Sequence, residues 1–344
     1  MIWLTWRQFR GQFLASIALL TALTAYLIYV GYTIRNAYNT DILGCLPANG
    51  CELDKVKDLF IQDHRSMVTI PAIVLIAVPA IIGVFWGGPL ITRELETNTH
   101  RLVWNQTVTR THWLAVKLAI VGLIAMVVTG ALSLVLTWAA SRYDQLIGSR
   151  FDPLSFASRN VAPIGYVIFA FVLGTTVGLF LRRTVNAMAV TLLLVGVIQL
   201  FIPTIARPYL RPPVTQSVAY DAAVREQGGI LSINRDAPMA VTGYAVPGAL
   251  MLTDHEDLLT SSGQKAGAET VQDCTGTQGQ APQQQANGLD QLENCVAQHN
   301  LHFSIRLQPP SRYWSFQWIE FAAFLILGGL LSGLAFWQIR RVRG

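Results

Sequence analysis

The sequence predicts an all-α polytopic membrane protein: six transmembrane helices, both termini on the cytoplasmic side, and a large extracytoplasmic segment between helices five and six. Three observations predict it. Of 344 residues, 52% are hydrophobic and only 13% charged, with a mean hydropathy of +0.41. A soluble domain usually carries about 25% charged residues, so this composition excludes a soluble globular enzyme. The charges that exist are clustered: none falls between Arg10 and Arg35, Arg65 and Arg93, Lys117 and Arg142, Arg159 and Arg182, or Arg183 and Arg207, and only Glu320 falls between Arg312 and Arg340. The third observation is sidedness. Alternate inter-span segments collect Arg7, Arg10, Arg93, Arg101, Arg110, Lys117, Arg182, Arg183, Arg340, Arg341 and Arg343 against only Glu94 and Glu96, which makes that side cytoplasmic.

Each charge gap runs roughly 22 to 27 residues, and a helix rising 1.5 Å per residue needs about 20 to cross the hydrocarbon. Backbone groups in lipid must be satisfied internally, so these windows are helices. Residues 1–10 place Ile2, Trp6 and Phe9 near one helical face with Arg7 and Arg10 beside it, the pattern of a short interfacial helix. Spans follow at about 11–34, 66–92, 115–140, 161–181 and 184–206, and a sixth at 313–339. The first span's apolar run, about Phe13 to Tyr32, exceeds the 7–15 residues of a signal-peptide core, so it reads as a retained span. The second span carries Pro71, Pro79 and Gly87-Gly88-Pro89, which reads as a bent helix ending in a break. Gly83 and Gly87, Gly174 and Gly178, and Gly329 and Gly333 recur at the spacing that lets helices approach closely.

Segments 35–66, 142–160 and 207–312 face outward, and only the last is long enough to be a domain. Its centre, 275–288, is of low complexity and reads as a loop. Residues 217–227 and 289–299 look helical, and the apolar 240–252 either packs under the domain or dips into the membrane. All four cysteines lie outside, as two local pairs, which points to disulfides Cys45–Cys51 and Cys274–Cys295 among three connectivities.

No G-x-x-x-x-G-K-[ST], H-E-x-x-H, G-x-S-x-G or C-x-x-C run is present. The chain therefore has no nucleotide-binding loop of its own, and no catalytic residue is assigned. His299 and His302 have helical spacing, but a solvated polar surface explains them better than a zinc site, and no metal is assigned. Glu320 is the one ionisable group inside a span. Two readings stand: a functional intramembrane carboxylate, or a side chain near the outer interface that reaches water or a polar partner beside Trp314, Gln317 and Trp318.

The longest inner loop, 93–113, holds the only two inner acidic residues. Its run Arg93-Glu94-Leu95-Glu96-Thr97-Asn98-Thr99-His100-Arg101-Leu102, then Val108-Thr109-Arg110 and Trp113-Leu114 up to Lys117, resembles the first cytoplasmic loop of type-2 ABC export permeases. Trp104-Asn105-Gln106 is similar to a subgroup common in actinomycete bacteria, while Asn98 and Thr107 stand where the family usually has Gly and Pro. The resemblance covers the whole topology. It implies a subunit of the bacterial plasma membrane that works with two ATPase subunits and a second permease copy or close paralogue. It further implies a coupling helix over 94–105 seated on the ATPase, with Glu94, Glu96, Thr99, Arg101 and Leu102 in contact and Arg110 as anchor. ATP and Mg would be bound by the ATPase, leaving this chain without a cofactor. The cargo would be a drug, antibiotic or lipid, and Phe85, Trp86, Gln199, Phe201 and Glu320 are candidate residues of its path. The competing readings are a membrane-embedded enzyme acting on lipid or cell-wall precursors, and a ligand sensor. The net charge of +5 divides into about +9 inside, about −3 outside and Glu320. It is therefore an orientation signal, with membrane lipids and not nucleic acid as the partner.

Overall fold

A computed structural model of the chain describes residues 2–45, 51–97, 109–234, 237–275, 292 and 294–341. It divides into two compact units: Met1–Gly148, Asp152–Arg207 and Trp314–Gly344 in the first, and Ser149–Phe151 and Pro208–Tyr313 in the second.

The first unit is helical. Helix α1 (Ile2–Ala37) runs unbroken through the residues expected as a separate interfacial helix and ends in a π-helical turn, Tyr38–Leu43. Helix α2 (Leu53–Ile82) begins directly after Glu52, well before the apolar window, because Leu53, Val56 and Phe60 continue its buried stripe past the charges. The Cys45–Cys51 disulfide closes the segment that joins α1 to α2. At Gly83–Gly87 the helix widens into a π turn and then resumes as α3 (Pro89–Glu96). The expected Gly-Gly-Pro break is thus a change of hydrogen-bond register: the Gly88 N–H bonds Gly83 O, five residues back. Proline at the first position of α3 has no N–H to leave unsatisfied, so the helix passes it without a gap. Helix α4 (Arg110–Ile147) is capped by the Thr109 hydroxyl, which accepts from the His112 N–H at 3.3 Å.

After the short α5 (Pro153–Ser158) come α6 (Ala162–Leu181) and α7 (Thr184–Phe201), the latter extended by a π turn over Ile202–Ala206. Helix α6 stops at Arg182, whose φ of 53° is left-handed, and α7 starts two residues later. Most of α6 is buried: it is the central post on which α2, α4 and α7 pack. Two of the three glycine pairs explain how. A Cβ at Gly174 would lie 2.2 Å from Gly83 O, one at Gly87 2.5 Å from Phe171 O, and one at Gly178 2.9 Å from Gly88 O. Backbone therefore meets backbone where the π turn crosses α6. Gly329 and Gly333 have nothing within 4 Å of such an atom. They lie in the last helix of the chain (Tyr313–Arg341).

Among the described residues, five helices are long and apolar enough to cross a membrane: Leu53–Glu96, Arg110–Ile147, Ala162–Leu181, Thr184–Tyr209 and Pro310–Arg341. Each contains one of the charge-poor windows, and the first window lies within α1.

The second unit is α+β, so the all-α expectation describes only the first. Strands β1 (Val214–Ala219), β6 (His302–Gln308) and β4 (Leu250–Met251) form one antiparallel sheet in the order β1-β6-β4. Strands β2 (Ile230–Asn234), β3 (Ala237–Thr242) and β5 (His255–Asp257) form another. Residues 217–227, expected as helix, instead supply the end of β1 and a single turn, α8 (Ala222–Glu226), capped by Asp221. The stretch 240–252 is divided between β3 and β4, and Gly243, at φ 76°, turns the chain after β3. Phe303, Ile305 and Leu307 alternate along β6 and bury one face against Met239, Val241 and Leu258. The helical turn α9 (Gln272–Thr275) carries Cys274, bonded to Cys295. The last helix, Tyr313–Arg341, is α10.

Candidate functional site

Two polar arrangements stand out in the first unit. One is at the end of α3, where Glu94 and Glu96 occupy the last turn. Two positions apart on a helix means about 200° of rotation, so they reach different neighbours. The Lys117 ammonium, from α4, donates to Glu94 Oε1, lies 4.4 Å from the centre of the Trp113 ring, and approaches Leu90 O at 3.4 Å. Both side chains of this pair are largely buried. Glu96 is exposed and takes two hydrogen bonds from the first residue of α7: the Thr184 N–H donates to Oε1 at 2.8 Å and the Thr184 hydroxyl to Oε2 at 2.7 Å. A carboxylate on the unpaired N–H groups of a helix start satisfies donors that have no partner inside the helix, and it complements the helix dipole. The same Thr184 hydroxyl sits 2.9 Å from that of Thr92, which donates to Gly88 O. The C-terminal end of α3 is thus tied to the N-terminal parts of α4 and α7 by two carboxylates. Arg110 opens α4 at the far end of the loop. Thr99, Arg101 and Leu102 lie outside the described residues.

The other arrangement surrounds Glu320. This side chain is 2% exposed and is neither free nor facing water. Arg207 Nε donates to Glu320 Oε1 at 2.6 Å and Nη2 reaches Oε2 at 3.4 Å. The Tyr166 hydroxyl donates to Oε2 as well. Arg207 is 1% exposed, and its guanidinium stacks on Phe156 with 4.0 Å to the ring centre. Its Nη1 is buried without a hydrogen-bond partner among the described residues. Three helical elements, α6, the extension of α7, and α10, contribute one member each. Nearby, Gln317 fixes the start of α6: its Oε1 accepts from the Ala162 N–H at 2.9 Å and its Nε2 donates to Phe156 O at 3.1 Å.

Tyr166 and Arg207 also line a cleft with Ile76, Pro79, Val195, Ile198, Gln199 and Phe324 among its walls. Its interior volume is about 30 Å³, room for about one water. Of the candidate path residues, only Gln199 lines it, with its Nε2 donating to Ile76 O at 2.9 Å, while Glu320 stands behind it through Arg207 and Tyr166. Phe85 and Phe201 are exposed elsewhere, and Trp86 packs against the core between α2, α4 and α6.

Sequence reasoning singled out Glu94, Glu96 and Glu320 but none of their partners. One signal was available for Arg207. A lone acid within a span needs a base at similar depth, and Arg207 bounds the C-terminal end of another apolar window.

In the second unit, both sulfurs of Cys274–Cys295, the Asp273 carboxylate and His299 Nε2 lie within 4.8 Å of one another. With the sulfurs bonded to each other, the set offers one imidazole and one carboxylate, too few for a zinc shell, and His299 Nε2 instead meets Asp273 at 3.2 Å. His302, the other candidate, opens β6.

The sequence model of the family described as "ABC-2 membrane transporter related" matches residues 17–207, more than half of the chain. That span contains the π turn, the tie between α3, α4 and α7, and Arg207. No curated protein and no solved structure matches the chain.

Proposed function

The chain belongs to the ABC-2 membrane transporter related family, and from that premise we propose that it is the transmembrane subunit of an ATP-driven exporter that moves a hydrophobic or amphipathic compound, such as a drug, antibiotic or lipid, outward. In this reading α1 is the sixth span, both termini are cytoplasmic, the second unit is extracytoplasmic, and the host is a bacterial plasma membrane of the actinomycete-like kind. Two ATPase chains bind and hydrolyse ATP with Mg, and a second copy of this permease or a close paralogue completes the assembly. The basic inner segments and the four outward cysteines support that orientation.

The observation that carries the reading is the tie at the end of α3. Residues 98–108 leave from a helix end bound to α4 by Glu94–Lys117 and to α7 by Glu96–Thr184. A displacement applied to that loop by an ATPase therefore moves three helix ends together, and the π turn at Gly83–Gly87 is where α2 can adjust its register against α6. ATP binding shifts the permease between states only to the extent that the ATPase dimer binds them unequally. Thr99, Arg101 and Leu102 make the contact, and Glu94 and Glu96 transmit it.

The test is reconstitution with a separate P-loop ATPase, sought first among the products of the neighbouring genes. The two proteins co-purify, and the permease changes the ATPase rate. Arg101→Glu abolishes co-purification with the fold intact, whereas Glu96→Gln preserves binding and weakens the effect on the rate. Failure of the cognate ATPase to bind the unaltered chain rejects the reading.

A further inference from the structure

The second unit brings four metal-ligating side chains to one place. Asp273 and Cys274 come from the turn α9, Cys295 from the helical turn 294–297, and His299 from just after it. One ligand atom of each lies within 4.8 Å of the others. His299 Nε2 is 3.2 Å from Asp273 Oδ2 and 3.6 Å from Cys274 Sγ. A tetrahedral zinc ion held at about 2.0–2.3 Å sets its nitrogen–oxygen edge at about 3.3 Å and its nitrogen–sulfur edge at about 3.5 Å. Two edges of such a shell are therefore already in place. What the oxidised chain lacks is thiolates, because the sulfurs are bonded to each other. Freed, they need only part to about 3.8 Å to complete the tetrahedron.

The four residues are also held by means other than that bond. Val271, Leu292 and Val296 are buried in the core of the unit and anchor the two turns. The Gln298 N–H donates to Cys295 O at 3.0 Å and the His299 N–H to Val296 O at 3.1 Å, which continues the turn. Cys295 and His299, four positions apart, thus stand on one side of it. The side chains of Asp273 and His299 are 66% and 26% exposed, so an ion has a path from solvent.

We propose that the second unit carries a redox-gated zinc site: a dithiol reductant opens Cys274–Cys295, and Cys274, Cys295, His299 and Asp273 then hold one zinc ion. In the exchange, one thiolate of the reductant attacks one sulfur and releases the other cysteine. Its second thiolate resolves the mixed disulfide, so two electrons enter the chain and the reductant leaves as its own disulfide. Zinc replaces the two thiol protons, which pass to solvent, and takes the neutral imidazole through Nε2 and the carboxylate through one oxygen. A four-ligand set of sulfur, nitrogen and oxygen suits zinc, whereas Mg and Ca require shells of oxygen. The covalent tie between α9 and the second turn is thereby exchanged for a metal tie between the same residues. The site belongs to this chain alone and is independent of the export reading.

The experiment uses the full chain in detergent, stripped of metal by a chelator. One half is reduced with dithiothreitol, which is then removed under argon, and both halves are dialysed against zinc or, as an optical probe, cobalt. The reduced chain gains one zinc that the oxidised chain does not take up, and its cobalt form shows sulfur-to-metal charge transfer with the intense visible bands of a tetrahedral site. Hydrogen exchange at the β6 amides of Phe303 and Ile305 is faster in the reduced chain, and zinc slows it again. Reduction also opens Cys45–Cys51, so His299→Ala separates the two pairs. Its fold is verified by β6 exchange in the oxidised state, where the Cys274–Cys295 bond is intact. Losing even a supporting partner of a metal ligand costs about 10–100-fold, so loss of the ligand itself weakens the gained zinc by more than about a hundredfold. Equal zinc uptake by the oxidised and reduced chains overturns the proposal, as does a gain that survives His299→Ala undiminished.

Discussion

Glu320 shows what a single charge inside a span requires of its surroundings. Its carboxylate takes an ion pair from Arg207 and a hydrogen bond from Tyr166, so its charge is compensated by side chains of two other helices. Breaking a buried ion pair by removing one partner costs about 3–5 kcal/mol, because the other charge is left uncompensated, whereas replacing both with apolar groups is often neutral. Glu320→Leu and Arg207→Met are each expected to lower the thermal transition sharply, and the double variant to recover most of the loss. A double-mutant cycle on thermal unfolding in one detergent checks this, and additive single effects would show the pair to be independent. Lys117 follows the same logic: Lys117→Met leaves Glu94 buried without its ammonium and destabilises the N-terminal part of α4 by a similar amount, while Glu94→Gln/Lys117→Met is milder. At this scale the sequence is half legible. An acid in an apolar window announces itself, but Arg207 is 113 residues away from Glu320, and nothing local to either names the other.

Elements were legible where the membrane does the selecting. Hydrocarbon excludes charge, so gaps between charged residues mark the helices, and five of the windows coincide with helices long enough to span. The same rule hides helix ends outside the hydrocarbon. Leu53–Arg65 and Arg142–Ile147 carry charges and look like loop, yet they continue α2 and α4 because their apolar stripe still finds partners in Tyr38, Phe60 and Tyr143. The short strands of the second unit were not legible either, since two to seven residues are too few for a period to emerge. Glycine spacing was legible as a pattern but not as a use: three pairs share it and only two make a backbone crossing. This difference yields an expectation. Gly174→Ala pushes a methyl into Gly83 O and forces α2 and α6 apart, a loss of about 1–3 kcal/mol. Gly333→Ala meets nothing within 4 Å and gains about 0.5–1 kcal/mol from helix propensity. Thermal unfolding of the two variants side by side checks it, and equal effects would show that the crossing is not tight.

Across the whole molecule, two units with separate cores imply two stabilities. The first core runs through Leu114, Val121, Val167 and Phe171, and the second through Met239, Val241, Phe303 and Ile305. The second unit carries the Cys274–Cys295 bond, whose cysteines are 21 residues apart, a loop for which chain-entropy reasoning gives about 3 kcal/mol of stabilisation. Cys45–Cys51 closes a much shorter loop and belongs to the first unit. The composition provides a clean readout, because among the described residues the tryptophans, including Trp86, Trp113, Trp138, Trp314 and Trp337, lie in the first unit. In Cys274→Ser/Cys295→Ser, the unfolding transition followed by tryptophan fluorescence stays where it is. Hydrogen exchange at the β6 amides of Phe303 and Ile305, buried at the heart of the second core, accelerates about a hundredfold, the factor that about 3 kcal/mol implies. A tryptophan transition that falls together with β6 protection would show that the two units unfold as one and that the second unit is not a separable module.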